Sequence, residues 1–323
     1  MRLLLTGSSG WLGRFLTPAL RMAGHDVTGL DVAPGDETSV LGSVADRTVV
    51  ERVFGDHGIE AVVHAGALHK PDIARFPEQA FIDTNVTGTL NLLQAAARAK
   101  HDRFVFTSTT SLMISRAIRE ERGAGAVWLD ESSGPLEPRN IYGVTKLAAE
   151  GLCRLFHAEH GLNCVVLRTS RFFPEDDDTP HRAMSGPNIK ANEFLHRRLT
   201  VEDAAAAHLT ALACAPRLGF GVFVVSAPAP FAPSDAEALK VDAAGVIERY
   251  FPDAPGLYAE RGWLLPTSIG RVYDSGKAER VMGFRCATDF AKVLDALRRG
   301  DDPPFAHYPR YVSPSAALAA GRP

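Results

Sequence analysis

Residues 2–13 read RLLLTGSSGWLG, and the fold is decided here. A short apolar run over 2–5 leads through Thr6 into a turn with glycines at 7, 10 and 13, and a helical pattern then runs to about residue 23. A strand, a glycine-rich turn and a helix start, in that order, make an anion site. Free backbone N–H groups and the positive end of the helix dipole face the same point. Gly7 permits the tight turn, Gly10 the close approach of a phosphate, and Gly13 the close packing of helix on strand. The spacing is GxxGxxG, not the commoner GxGxxG of dinucleotide sites.

Working outward, residues 25–30, HDVTGL, form a second strand that ends at Asp31. A carboxylate there lies beside the adenosine ribose of a bound dinucleotide, where it accepts hydrogen bonds from both hydroxyls of NAD and repels the 2′-phosphate of NADP. No Arg or Lys follows within the next several residues, so NAD is favoured, with Arg14 as the one opening for NADP. A helix over 46–57, a strand over 61–64, a helix over 78–99 and a strand over 103–107 continue the alternation. This rhythm predicts an α/β fold, a Rossmann-type doubly wound parallel sheet with ligands beyond the carboxyl ends of its strands. Small and polar clusters fall at those ends: Ala65, Gly66 and Ala67; Ser108, Thr109 and Thr110; Thr169, Ser170 and Arg171.

Near the middle lies NIYGVTKLAAE, residues 140–150, with Tyr142 and Lys146 one turn apart on a helix face. A phenol with a pKa near ~10 is a poor acid or base at neutrality. An ammonium beside it favours the phenolate and fits the pair for proton transfer. Such a pair alone is usually a solvated helix face, so its weight comes from the strand-end clusters pointing to the same place.

Composition sets the outer limits. The chain has 323 residues, 46% hydrophobic and 23% charged, with a net charge of −3. It is long enough for a large core and offers no electrostatic case for nucleic acid or an anionic membrane. The longest apolar runs are strand-sized, so no membrane span is expected, and the N-terminus enters a strand at once rather than a signal-peptide apolar region. Cys153, Cys164, Cys214 and Cys286 are scattered without a CxxC pair, as in reduced core thiols of a cytoplasmic protein.

Taken together, TGSSGWLG, Asp31, HAGA, NVTGTLNLL, FVFTSTTS, YGVTK and LRTSRF stand in the order of a known family. The chain resembles the extended short-chain dehydrogenase/reductases, the NAD-dependent epimerase/dehydratase group. HRRLTVEDAAAAHLTAL over 196–212 and DSGKAERVMGF over 274–284 extend the likeness to nearly the whole chain. The resemblance implies Tyr142 as acid/base, Lys146 as its activator and ribose ligand, and Thr109 as the orienting hydroxyl, with Ser108 as the competing alignment. It implies NAD held by Gly7, Gly10, Trp11, Leu12, Gly13, Asp31, Ser43, Val44, Ala65, Gly66, Ala67, Asn85, Thr107, Tyr142, Lys146 and Thr169. It also implies a Rossmann half over 1–170, with 200–226 returning to it, and a smaller, less regular substrate lobe from 171–199 and 227–323. A homodimer through the helices over 78–99 and 142–160 is the default assembly. The reaction implied is oxidation of a secondary alcohol on a sugar or sugar-nucleotide-like substrate. A net dehydrogenase or reductase of a smaller hydroxy or carbonyl compound is the alternative. A catalytically silent NAD-bound regulator is disfavoured because Thr109, Tyr142 and Lys146 are all present.

Several positions depart from the family. Ser43 stands where an Asp usually meets the adenine amino group. Arg171 stands where an Asn usually touches substrate, which points to an anionic group held by a planar fork or to an ion pair with Asp176–Asp178. The 174–197 segment is short, and from it Arg182, Lys190, Asn192, Arg197 and Arg198 are candidate substrate contacts, as is Thr110 beside Thr109. His69 and Lys70 border the cofactor or decorate its rim. Asp176, Asp177, Asp178 and His181 read as a solvated turn, and no metal is expected. Thr109 and Tyr142 are 33 residues apart, longer than usual (142 − 109), with the excess in 114–128. That excess is either a loop over the site or a surface excursion. The Ala- and Pro-rich tail after Tyr311 reads as poorly ordered.

Overall fold

The computed structural model describes residues 1–176 and 183–321. Its strands are β1 (Arg2–Thr6), β2 (Asp26–Asp31), β3 (Val40–Leu41), β4 (Ala61–His64), β5 (Phe104–Thr109), β6 (Val127–Leu129), β7 (Cys164–Thr169), β8 (Phe220–Val225) and β9 (Arg271–Tyr273). Seven form one parallel sheet in the order β3-β2-β1-β4-β5-β7-β8. Strands β5 and β7 are buried along their whole length. That is why their opening stretches, FVF and CVVL, read as continuous apolar runs rather than alternating ones. Helices Trp11–Met22 and Val201–Leu218 cover one face through Leu12, Leu16, Leu20, Ala204 and Ala211. Helices Arg47–His57, Gly88–Arg98 and Ile141–His160 cover the other through Val50, Leu92, Ala149 and Phe156. The strand order reverses between β1 and β4, and the first glycine turn and the HAGA loop meet at that crevice.

Local chemistry sets the helix ends. Asp46 accepts from the Thr48 and Val49 amides, Asn140 from Gly143, and Thr200 from Asp203. Gly161, in the left-handed region at φ 69°, ends the Ile141–His160 helix. The helix expected over 78–99 is broken by a π-helical turn, Ile82–Thr87, at Asn85. Between residues 236 and 250 two helices, Ala236–Val241 and Ala243–Tyr250, meet at Asp242, whose carboxylate caps the second through Gly245.

The smaller lobe has its own core, built on Phe194, Leu239, Ile247, Tyr258, Val272, Phe290 and Leu294. Asp203 fastens it to the sheet by accepting from the Ala287 and Thr288 amides. The extra residues of 114–128 belong to this junction. They form a short helix, Arg116–Arg119, and then β6, which pairs in parallel with β9. The tail expected to be poorly ordered instead forms a helix, Pro314–Ala320, capped by Ser313. Three of the four cysteines are buried and all are free. Among the described residues no helix is long and apolar enough to cross a membrane.

Candidate active site

A cavity of about 340 Å³ lies beyond the carboxyl ends of β1, β2 and β4. Its walls include Gly7, Gly10, Trp11, Leu12, Asp31, Ser43, Val44, Ala65, Gly66, Ala67 and Thr107. Gly7 has φ +77°, and a Cβ there would come within 2.8 Å of the Gly66 nitrogen. Only bare backbone lets the two turns approach this closely. Gly13 lines neither cavity described here. Its hypothetical Cβ would lie 2.3 Å from the Gly7 carbonyl, so its role is packing. The buried Asp31 carboxylate accepts from the Ser9 amide (2.9 Å) and the Ala33 amide (3.1 Å). Burial pushes its pKa up, and these N–H groups oppose the shift. Arg14 donates to the Ser9 carbonyl and lies over the Tyr311 ring, so it does not stand ready for a 2′-phosphate. Backbone donors in a cradle that any side chain would fill, with one carboxylate at its far end, fit a dinucleotide such as NAD.

A second cavity, about 510 Å³, adjoins the first and shares Ala65, His69, Thr107, Phe172, Phe173, Tyr311 and Ser313 with it. Tyr142 and Lys146 line it, together with Thr109, Thr110 and Thr169. Thr109 beside the Tyr142 phenol lowers its pKa, yet burial dominates and holds it at about 12. Lys146 Nζ donates to the Thr107 carbonyl at 2.7 Å and sits 4.5 Å from the Phe106 ring centre. Burial lowers Lys146 to about 7, opposed by Glu150. The expectation that Lys146 lowers the phenol is therefore not met in this form: its amine is turned to the strand, and desolvation governs both groups.

Strand geometry separates the hydroxyls of the two competing alignments. Thr107 and Thr109 share one side of β5, while the Ser108 hydroxyl donates to buried Glu150 (2.6 Å). Glu150 also takes both arms of Arg168, at 3.0 and 2.7 Å. The Ser108 hydroxyl is thus engaged with Glu150, although the residue also lines the second cavity. Asn85 is corrected as well. Its amide exchanges hydrogen bonds with the Leu68 backbone and donates to Thr145, so it staples the HAGA loop to the catalytic helix and lines neither cavity.

The outer wall of the second cavity carries arginines. Arg171 lines it and donates to the Glu175 carbonyl. Arg197 lines it while paired with Glu193 at 3.1 Å. Arg119 and Arg139 complete the rim. Arg271, at the start of β9, was not singled out by the sequence. It lines the cavity, makes no ion pair among the described residues, and leaves its buried Nε without a hydrogen-bond partner. The 114–128 excess is therefore a cavity wall, since its Ile114 and Arg119 line the space and its strand holds β9.

Three expected substrate contacts prove structural. Arg198 is buried between Glu193 (2.7 Å) and the Phe173 carbonyl. Asn192 donates to the Leu264 carbonyl. Lys190 donates to the Pro174 carbonyl and meets His307, and burial lowers it to about 8. None of the three lines either cavity. Asp177, Asp178, His181 and Arg182 lie outside the described residues, and among those described no cluster could hold a metal ion.

Comparison with known proteins agrees with this geometry. The chain matches the NAD dependent epimerase/dehydratase family over residues 3–217. It is 32% identical over 179 residues to the UDP-glucose 4-epimerase of Azospirillum brasilense, covering 52% of this chain and 48% of that protein, so it spans about half of that relative's length. It is 33% identical over 188 residues to the L-arabinose 1-dehydrogenase (NAD(P)(+)) of Haloferax volcanii, covering 54% of this chain and 69% of that protein. In fold it is similar to a short-chain dehydrogenase/reductase superfamily protein of Agrobacterium tumefaciens solved with bound NAD. The TM-score is 0.66 at 23% identity, over 93% of this chain and 98% of that one.

Proposed function

The chain belongs to the NAD dependent epimerase/dehydratase family, and we propose that it oxidises a secondary alcohol of a sugar-like substrate bearing an anionic group, with Tyr142 as the acid/base. The observation that carries this reading is Thr109 beside Tyr142, with Lys146, lining a cavity that adjoins the glycine cradle. NAD bound at that cradle supplies the hydride acceptor. Thr109 orients the reacting oxygen, and Tyr142 takes its proton. With the phenol held near 12, alcohol oxidation speeds up as pH rises, and carbonyl reduction slows. Lys146, near 7, is largely cationic below neutrality, and its charge then favours the phenolate once the amine turns from Thr107.

The anionic group is motivated by Arg171, Arg197 and Arg271 converging from three segments on one wall. Within this reading two outcomes compete. An epimerase or dehydratase returns the hydride to the substrate. A net dehydrogenase releases NADH, and the compact arginine-walled cavity favours it for a small sugar acid. A homodimer through the helices over 78–98 and 141–160 belongs to the same proposal. Exposed Val144 and Leu155 on the latter offer apolar contact.

The test is to incubate the protein with NAD and a panel of sugar acids, sugar phosphates, sugar nucleotides and neutral sugars. NADH absorbance with an acidic sugar supports the dehydrogenase, and product without NADH supports the epimerase or dehydratase. Turnover of neutral sugars alone overturns the anionic group.

A further inference from the structure

Residues 311–318 meet the cofactor cradle from outside. Tyr311 and Ser313 line both cavities, and Pro314, Ser315 and Leu318 line the cofactor one. The Tyr311 ring meets Trp11 edge-on, with centroids 5.3 Å apart, and Arg14 lies over the same ring, 5.9 Å from its centroid. Trp11 starts the helix whose amides face the cradle. On the opposite bank, the Ser315 hydroxyl donates to Asp72 at 2.8 Å, in the loop that follows HAGA. The segment thus bridges the two backbone turns between which a pyrophosphate would sit. Its approach is anchored by the Tyr308 amide on the Pro174 carbonyl (3.0 Å).

We infer that residues 311–318 are part of the NAD site, a strap that closes over the bound dinucleotide and sets how fast it leaves. The inference rests on the NAD reading above. Two features make it a strap rather than a fixed wall. No residue of the Pro314–Ala320 helix is buried, and among the described residues no ion pair fastens it. A segment held by one side-chain hydrogen bond and by Trp11 and Arg14 on one tyrosine ring opens at small cost. A cofactor beneath it adds contacts to Tyr311 and Leu318 and so holds it shut. Release then waits on opening, as with other active-site covers.

The test compares the full chain with Tyr311→Ala and with a chain ending at Arg310. NADH is the probe, its affinity read from its fluorescence and its release from stopped-flow displacement by excess NAD. We expect Kd to rise about 10-fold or more in both variants, with most of the change in the release rate. Thermal unfolding without cofactor should shift by only a few degrees, since nothing buried is removed. Release rates within twofold of the full chain in both variants would overturn the strap. Tighter binding on truncation would overturn it too, and would make the segment an obstruction. If the full chain binds neither NADH nor NAD, the cofactor reading itself has failed, which is a separate result.

Discussion

The floor of the catalytic cavity comes from neighbouring strand ends and one helix, residues 107–110, 142, 146 and 169, whereas its wall comes from residues 119, 171, 197, 271 and 311, which meet only across the whole chain. On the floor, three side chains are fixed by hydrogen bonds to backbone: Lys146 to Thr107, Thr110 to Thr169, Thr169 to Ser108. On the wall, charge predominates and part of it is left unsatisfied, as at Arg271 Nε and Arg197 Nε. The difference teaches a division of labour. A preorganised floor suits proton and hydride transfer common to a family, and a wall of arginines suits the choice of substrate.

The sharpest way to break this division is Tyr142→Phe. The rate of oxidation should fall by at least ~10² while NAD affinity stays nearly unchanged. Turnover at the original rate would remove Tyr142 from the chemistry. Next is Arg271→Ala, expected to raise KM for an anionic substrate by ~10- to 100-fold with kcat almost preserved, because a charge-assisted contact is worth about 1.5–3 kcal/mol. A loss confined to kcat would move Arg271 from the wall to the floor. Asp31→Ala should narrow the preference for NAD over NADP by about 10-fold through loss of ribose hydrogen bonds and of charge repulsion. Equal preference before and after would show that the carboxylate only braces Ser9 and Ala33.

A separate effect, on stability rather than activity, concerns acid. His64 accepts from Thr6 and donates to Thr89, and His208 accepts from Thr107 and donates to Ala204. Burial lowers them to about 3 and about 4. Both folded values lie below the unfolded value near 6.5, so the unfolded chain binds protons first as pH falls. The stability these histidines contribute is complete above 6.5 and is lost as pH falls from there toward 4. The slope should be ~1.4 kcal/mol per pH unit for each histidine. Urea unfolding between pH 6.5 and 5 measures it, and a flat profile would mean that the two sites take up protons while folded.

The cradle and the floor were legible because their signals are local. A glycine turn after an apolar run, a carboxylate at a strand end and a Tyr–Lys pair one turn apart each lie within a dozen residues. Asn85, Asn192 and Arg198 were misassigned for a shared reason: polar side chains at the right depth are equally able to bond backbone. Their hydrogen bonds to Leu68, Leu264 and Phe173 are long-range facts with no sequence mark. Arg271 and Tyr311 were missed on the same ground. A lone Arg before Val-Tyr and a Tyr in a Pro-rich tail announce nothing until the chain brings them back to the cavity. The excess in 114–128 was visible as a spacing, but its pairing with β9 was not.

That pairing has a kinetic meaning. β6 and β9 match residue for residue over only three positions, yet 144 residues separate Val127 from Arg271 (271 − 127). Closing a loop of that length costs about 4 kcal/mol in chain entropy, more than so short a ladder offsets. The two strands therefore stay together because Leu129 and Tyr273 are held in one apolar cluster and Val272 in the lobe core. Arg271 is thus carried by a strand that depends on side-chain packing more than on its ladder, and Trp128 within β6 is placed to report its release.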